Sequence, residues 1–388
     1  MLKIALIRKD FFLSRGGGER YAVNLGKELA KMGHEVHVFA HQWEENLCPE
    51  ITFHKVPTFT LFSSLKNLSF AHNCRKMVAR ENFDIIHSLS QTYPQDVYRM
   101  GDGIHRHWLR IQTPNHFFRF IRSLTPRQRT ILYLEKKTFH PSHYLIIISN
   151  SQLCKTHAIK YFRVPEERVS VIYNGVDHSQ FNPSLREKYN TEIRKKLQFS
   201  EKDFIILFIA RNFTRKGLGY LIKALPLISK EKDSIKVLIV GRGNPFPYRK
   251  LASQIGFGKH LFFVGETDNI IKFYGVGDIL VLPTLYDPFS NVCLEALACG
   301  IPVVTTRENG AAEIIKSGET GIVISKPSNR EELAAGISRF YPFKVRESVR
   351  LKAVSSVKNF TIKENVCRTV EVYQRVLLMK KRSIKTEE

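Results

Sequence analysis

Asp287-Pro288-Phe289-Ser290-Asn291-Val292-Cys293-Leu294-Glu295 runs directly into Ala296-Leu297-Ala298-Cys299-Gly300-Ile301-Pro302-Val303-Val304. The apolar run 279–283 before it reads as a strand. A short loop follows and opens a helix that stops at Gly300. The two carboxylates bracket the loop and the first helical turns, Asp287 ahead of the helix and Glu295 inside it. A helix N-terminus carries unpaired N–H groups and a partial positive charge, which suits a phosphate. A carboxylate on the same helix can accept hydrogen bonds from a sugar diol. The stretch therefore fits a nucleotide-sugar site.

The same grammar extends outward. Strand patterns fall at 4–7, 35–40, 84–87, 144–148 and 169–173, with a helix pattern over 20–32 ended by Gly33. A second series begins at 204–210 and continues at 236–240, 261–264, 278–282, 302–305 and 321–324. Amphipathic stretches separate the runs, which argues for parallel sheets covered by helices, built twice. The turn signals Asn174-Gly175 and Asn182-Pro183, followed by a polar, charged stretch, mark the break. The expected division is an acceptor-binding domain over 1–175, a linker over 176–203 and a nucleotide-sugar-binding domain over 204–362. A basic C-terminal helix, about 363–385, is expected to pack back on the first domain. Ligands of open α/β sheets sit beyond the carboxyl ends of the strands, so two such domains would face each other across a cleft.

The chain has 388 residues, natural for two domains, and 43% of them are hydrophobic. Its formal net charge of +24 points to a polyanionic partner: nucleic acid, an anionic membrane surface or a phosphorylated glycan. A plain solubility role for the charge is the competing reading. The opening apolar run is too short for a signal peptide, and no run approaches the roughly 18 apolar residues of a bilayer span. The expected location is the cytoplasm. Six scattered cysteines form no C-x-x-C pair, which speaks against zinc and disulfide frameworks.

Arg211 and Lys216 follow the first strand of the second half, where two fixed cations can clamp a diphosphate as a leaving group gains charge. Arg215 can substitute for either, and a solvated basic loop is the alternative. Gly16-Gly17-Gly18 follows the first strand of the chain and opens the first helix, so Gly17 and Gly18 can let the backbone approach an anion. The G-x-G-x-x-G spacing of a dinucleotide site is missing.

Between Gly103 and Leu134 there are six arginines and no acidic residue, with aromatic rings interleaved. Phe117 and Phe120 share a helical face with Ile121 and Leu124, while Arg119 and Arg122 point elsewhere. Together with Arg106, Trp108, Arg110 and Phe118, this is the composition of an interfacial amphipathic helix on anionic lipid. A helix packed on its own domain, or an acceptor-binding loop, are the alternatives. Just upstream, after a strand-like segment at 96–100, Asp102 can activate an acceptor hydroxyl and His105 can bond a donor-sugar hydroxyl; either can equally be structural. His87 and His107 are weaker candidates. No Asp-x-Asp occurs, and no His/Cys/carboxylate cluster has metal spacing, so no metal or other cofactor is expected and protein cations would neutralise the leaving group.

These residues resemble the family 4 retaining glycosyltransferases of the GT-B fold. The resemblance rests on Tyr173-Asn174-Gly175-Val176-Asp177, on Arg211 with Lys216-Gly217, and on the acidic-x7-Glu segment from Asp287 to Glu295. It implies that Glu295 holds the ribose hydroxyls of the donor and that Arg211 and Lys216 bind its diphosphate. It further implies that Asp287 and the backbone of Phe289, Ser290 and Asn291 contact the donor sugar. The Gly16–Gly18 loop would meet phosphates and acceptor. Transfer would retain the anomeric configuration, with the leaving phosphate taking the acceptor proton and no enzymic nucleophile. Two features depart from the family: Asp287 stands where Glu is usual, and the glycine loop ends in Glu19-Arg20.

Three further segments are similar to the bacterial lipopolysaccharide core glucosyltransferase I group. They are 36–43, Gly101-Asp102 with the basic aromatic stretch after it, and Leu124-Thr125-Pro126-Arg127 with Leu132-Tyr133-Leu134-Glu135. That likeness implies a peripheral protein of the inner membrane that moves glucose from UDP-glucose onto a heptose of the lipopolysaccharide inner core. Another donor on another anionic lipid-linked glycan is the alternative. A nucleotide-sugar epimerase or phosphorylase lacks its expected groups here. A nucleic-acid partner is not expected, because no base-reading motif accompanies the charge.

Overall fold

The computed structural model describes residues 1–13, 16–228 and 232–387. They form two units: Met1–Asn174 with Ile362–Glu388, and Gly175–Thr361. In the first, strands β1 (Lys3–Ile7), β2 (Glu35–Ala40), β3 (Ile51–Lys55), β4 (Ile85–Ser88), β5 (Val97–Met100), β6 (Ile146–Ser149) and β7 (Val169–Val171) make one sheet. Its order is β3-β2-β1-β4-β5-β6-β7. In the second, β8 (Phe204–Ile209), β9 (Ile235–Val240), β10 (Leu261–Gly265), β11 (Ile279–Leu282), β12 (Val303–Thr306) and β13 (Gly321–Ile324) are ordered β10-β9-β8-β11-β12-β13. Every pairing within these two sheets is parallel.

The sequence dictates this directly. β8 reads Phe-Ile-Ile-Leu-Phe-Ile and β11 Ile-Leu-Val-Leu, and both are buried at every position. A strand apolar on both faces is stable only between two helical layers, which is the parallel arrangement. In each sheet the strand order reverses beside the first strand, between β1 and β4 and between β8 and β11. Such switch points open a crevice at the carboxyl ends of the strands.

Two expectations change. The stretch 176–203 is not a linker: it carries the helix Ser184–Leu197 and belongs to the second unit. Its polar look is misleading, because Arg186 and Arg194 reach the buried carboxylate of Asp278 at 3.2 and 3.5 Å, and Leu185 and Ile193 are buried. β3 has no counterpart among the expected strands. It is an edge strand whose Ile-Thr-Phe-His-Lys sequence buries only Ile51 fully, so the apolar signal is faint.

The C-terminal helix Ile362–Glu387 joins the first unit, where Val366, Val372, Tyr373 and Val376 share a core with Ile4, Leu6 and Val38. The Tyr373 hydroxyl meets His87 Nδ1 at 2.7 Å. Complete burial, with Arg99 nearby, pushes His87 down to about 3, so it is a neutral packing histidine. Its place among the weaker site candidates is thereby corrected.

Candidate active site

In the second unit, the chain leaves β8 at Ala210 and turns into the four-residue helix Phe213–Lys216, capped by the Asn212 side chain on the Arg215 N–H at 2.9 Å. Gly217 ends it with φ 84°. A Cβ there would lie 1.9 Å from the Pro283 carbonyl oxygen, so only glycine lets this loop seat against the end of β11. That seating brings Lys216 to the opening stretch of the sequence. Its ammonium is hydrogen-bonded to the Asp287 carboxylate and, at 2.6 Å, to Ser290 Oγ. Arg215 faces the same segment from behind, its Nε donating to the Tyr286 carbonyl at 2.8 Å. Arg211 stands outward and pairs with Glu266 at 3.2 Å, both side chains about half exposed.

Asp287 is held on several sides. Its Oδ1 accepts the Phe289 N–H at 3.0 Å, its own N–H donates to Glu308 O, and its carbonyl accepts the Gly310 N–H. Asn309, buried, receives the Ser290 N–H at 3.2 Å and donates to Thr305 Oγ1 at 3.0 Å. The loop ahead of the helix Asn291–Ala298 is thus fixed from β12 as well as β11. Within that helix Glu295 is buried, and its Oε2 accepts the Tyr274 hydroxyl at 2.5 Å. A buried carboxylate with a dedicated donor is oriented before any ligand arrives. Burial pushes Cys293, on the same helix, up to about 12, so it is a neutral thiol and no nucleophile.

The corresponding switch point of the first unit is built differently. Helix α1 (Gly17–Lys31) begins at the glycine loop. Arg8, just past β1, donates to Leu89 O at 2.7 Å and to Glu19 Oε1 at 2.9 Å, and lies 3.5 Å from Asp102. A Cβ on Gly18 would come within 2.8 Å of that guanidinium, so Gly18 makes room for Arg8. Burial works against the charge of Arg8, but Asp102 and Glu19 outweigh it and its pKa is raised. Asp102 is paired to Arg8 on one side and 77% exposed.

Comparison with known proteins agrees with this geometry. Residues 15–180 match the family described as Glycosyltransferase Family 4, and residues 190–348 that described as Glycosyl transferases group 1. An uncharacterised glycosyltransferase of Methanocaldococcus jannaschii is 32% identical over 256 residues, 63% of this chain and 65% of that one. Lipopolysaccharide glucosyltransferase WaaG of Escherichia coli is 24% identical over 325 residues, 82% of this chain and 84% of that one. A crystal structure of WaaG aligns with a TM-score of 0.81 at 21% identity, over 95% of this chain and 99% of that one. The crystal structure of Anabaena HepE in complex with UDP-glucose aligns at TM-score 0.73 and 18% identity, over 96% and 100% of the two chains. The chain is a GT-B glycosyltransferase of the family 4 kind.

Several residues of the clusters described in the two units drew no attention in the sequence. Tyr274 sits in another helix and carries no motif. Asn309 and Arg8 each follow a strand, the position that drew attention to Arg211, and that rule would have found them. Other expected residues are occupied elsewhere. His105 Nε2 contacts Gln128 Oε1 at 2.6 Å, and its backbone N–H donates to Glu135 Oε1 at 2.5 Å, so it is fastened to the helix Pro126–Thr138. Glu135 also accepts the Arg106 N–H at 3.2 Å and so caps the helix His105–Gln112; burial raises its pKa to about 7.

The expected membrane residues separate. In the helix His116–Ser123 the rings of Phe117, Phe118 and Phe120 are 67%, 61% and 63% exposed. Arg119 and Arg122 instead turn to the preceding loop, donating to Thr113 O at 3.1 Å and Thr113 Oγ1 at 3.2 Å. Arg110 is exposed and Trp108 half-buried, while Arg106 lies over the Phe162 ring at 5.3 Å. Among the described residues, no helix is long and apolar enough to cross a membrane.

Proposed function

We propose that the chain is a retaining hexosyltransferase that moves glucose from UDP-glucose onto a heptose of the lipopolysaccharide inner core, or onto a similar anionic lipid-linked glycan. The observation that carries the donor half is the Lys216–Asp287–Ser290 cluster beside the buried Glu295, at the switch point of the second sheet. Lys216 has three N–H donors; two are engaged, and a third can meet a diphosphate oxygen. Arg211 supplies the second cation from the rim. Glu295, oriented by Tyr274, accepts the ribose hydroxyls. Asp287 and the backbone of Phe289 to Asn291 meet the sugar. HepE, which shares the fold, binds UDP-glucose, and this supports the choice of donor.

In the proposed reaction the acceptor oxygen bonds to the anomeric carbon on the face from which UDP departs. The carbon–phosphate oxygen bond breaks, and the acceptor proton passes to the leaving diphosphate. Arg211 and Lys216 bear the growing charge, so no metal and no cofactor takes part. In this reading Gly17 and Gly18 meet phosphate and acceptor, and Asp102 activates the acceptor hydroxyl. The net charge of +24 and the exposed rings of the helix His116–Ser123 support contact with an anionic inner-membrane surface from the cytoplasmic side.

A thermal-shift screen across UDP-, GDP- and ADP-sugars in excess chelator tests the donor. UDP-glucose is expected to stabilise the protein most, and Glu295→Ala to abolish the shift. No shift with any UDP-sugar in folded protein overturns the reading. A larger shift with UDP-N-acetylglucosamine or UDP-galactose names the alternative donor. For the surface, co-sedimentation with vesicles containing anionic lipid is expected, and paired Phe117→Ser and Phe120→Ser changes should reduce it. Equal sedimentation of the paired variant removes that helix from the contact.

A further inference from the structure

We propose that His37, His54 and Glu81 form a binding site for a borderline divalent transition metal of the zinc class, apart from the transferase site. His37 lies on β2, His54 on the edge strand β3, and Glu81 just beyond the helix Ser63–Val78. One ligating atom from each lies within 4.8 Å of the other two. The parallel register pairs His37 with Thr52 and Phe39 with His54, so the two imidazoles are diagonal neighbours on one sheet face. Their separations in sequence, 17 residues and then 27, match no local metal motif, which is why spacing alone gives no sign of the site.

The hydrogen bonding prepares His37 for a metal. Its Nε2 lies 2.7 Å from the Glu35 carboxylate, and its Nδ1 lies 2.8 Å from His54 Nε2. A carboxylate beside Nε2 holds the proton there and leaves Nδ1 as a lone pair aimed at His54 and Glu81. A ligating histidine is typically oriented this way by a carboxylate behind it. Two imidazoles and one carboxylate make an N,N,O set, which suits zinc-class ions and leaves a fourth position for water. With bonds of about 2.0–2.1 Å in a tetrahedral site, the two nitrogens would stand about 3.3 Å apart. The present 2.8 Å opens by a small shift of His54, which sits on an edge strand and is only partly buried. His54 then carries its proton on the other ring nitrogen.

Without metal, the Lys3 ammonium balances the carboxylates, 3.0 Å from Glu81 and 3.8 Å from Glu35. It is a competitor for the site. Lys3 and Glu35 open β1 and β2 and His37 stands mid-strand, whereas Arg8 and Gly18 lie beyond the carboxyl end of β1. A metal here would tie the edge strand to the segment after the helix Ser63–Val78, without touching the loops that follow β1 and β4.

The test uses the full chain, stripped with chelator and titrated with Co²⁺ by visible absorption and with Zn²⁺ by calorimetry. One equivalent is expected, with the absorption of four-coordinate cobalt. His54→Ala should abolish it, and Glu81→Gln, at an exposed position that leaves the fold intact, should weaken Zn²⁺ at least tenfold. Glu35→Gln should cost about 10–100-fold, as loss of an orienting carboxylate does. Lys3→Gln should tighten binding. Absence of uptake by folded wild type, or equal uptake by Glu81→Gln, overturns the proposal. UDP-sugar binding is measured on the same samples, so failure here is distinguishable from failure of the donor reading.

Discussion

The two switch points put a cation beside a carboxylate with different outcomes. In the second unit Lys216 and Asp287 are both largely covered, their side chains 16% and 12% exposed, and Ser290, Asn309 and Glu308 fix the loop around them. In the first, Arg8 is covered but Asp102 is open, and the neighbouring segment is a glycine loop. A rigid, closed cluster suits a ligand whose polar groups never vary, such as a nucleotide diphosphate. An open carboxylate beside a loop without side chains suits a partner of variable shape, such as a glycan acceptor. The same fold position thus yields preorganisation in one unit and access in the other.

The largest expected effect breaks the closed cluster. Lys216→Ala removes the proposed diphosphate donor and leaves Asp287 without the ammonium that bonds it. A fall in kcat/KM of about 10³, or about 4 kcal/mol, follows from the cost of losing such a charged donor. Arg8→Ala should instead leave UDP affinity within about threefold of wild type while turnover with acceptor falls, because its partners Glu19 and Asp102 belong to the other unit. Calorimetry with UDP beside initial-rate kinetics separates the two. Equal loss of UDP affinity in both variants would end the distinction drawn between the units.

Next in size is the loop that delivers Lys216. Gly217→Ala places a methyl group 1.9 Å from the Pro283 carbonyl oxygen at a positive φ. The helix Phe213–Lys216 must move or β11 must give, at a cost of about 3 kcal/mol or more. Denaturant unfolding should show the loss. UDP binding should weaken in whatever fraction stays folded. Wild-type stability would mean that the loop has slack and that the Lys216 geometry is not imposed by this contact.

The fold was legible because its signals are local and strong: β8 and β11 are apolar without interruption, and Gly300 ends its helix with φ 76°. Lys216 and Asp287 drew attention because they follow strand ends, and the structure brings these two together. Tyr274 was not, since a tyrosine on a four-residue helix looks like any core aromatic until its hydroxyl is seen 2.5 Å from Glu295. The stretch 176–203 misled for a related reason: Arg186 and Arg194 are polar in sequence but satisfied by buried Asp278 in space. The contacts of His105 were not legible, because Gln128 and Glu135, which hold it in space, lie far along the chain.

Tyr274 gives a finer test of the closed cluster. Tyr274→Phe keeps the ring and removes only the donor to Glu295. Loss of one hydrogen bond to a buried carboxylate is worth about 1.5–3 kcal/mol, so UDP affinity should fall by roughly 10–100-fold with little change in the UDP-independent melting temperature. If the melting temperature falls while UDP affinity holds, the tyrosine supports the core and does not orient Glu295.

The smallest effect concerns the open unit and is read in pH. Burial raises the Glu135 carboxyl to about 7, although the N–H groups of His105 and Arg106 work in the other direction. Between the unfolded value near 4.5 and about 7, the folded state holds a proton that the unfolded state has released. Its contribution to stability is therefore complete below the unfolded value and is lost as pH rises through about 7. From pH 5 to pH 8 wild type should lose about 1–3 kcal/mol relative to Glu135→Gln, which cannot titrate. Urea unfolding of both proteins at the two pH values measures that difference. A constant gap would mean that the helix-capping N–H groups hold Glu135 ionised throughout, making this corner of the first unit as preorganised as the donor cluster of the second.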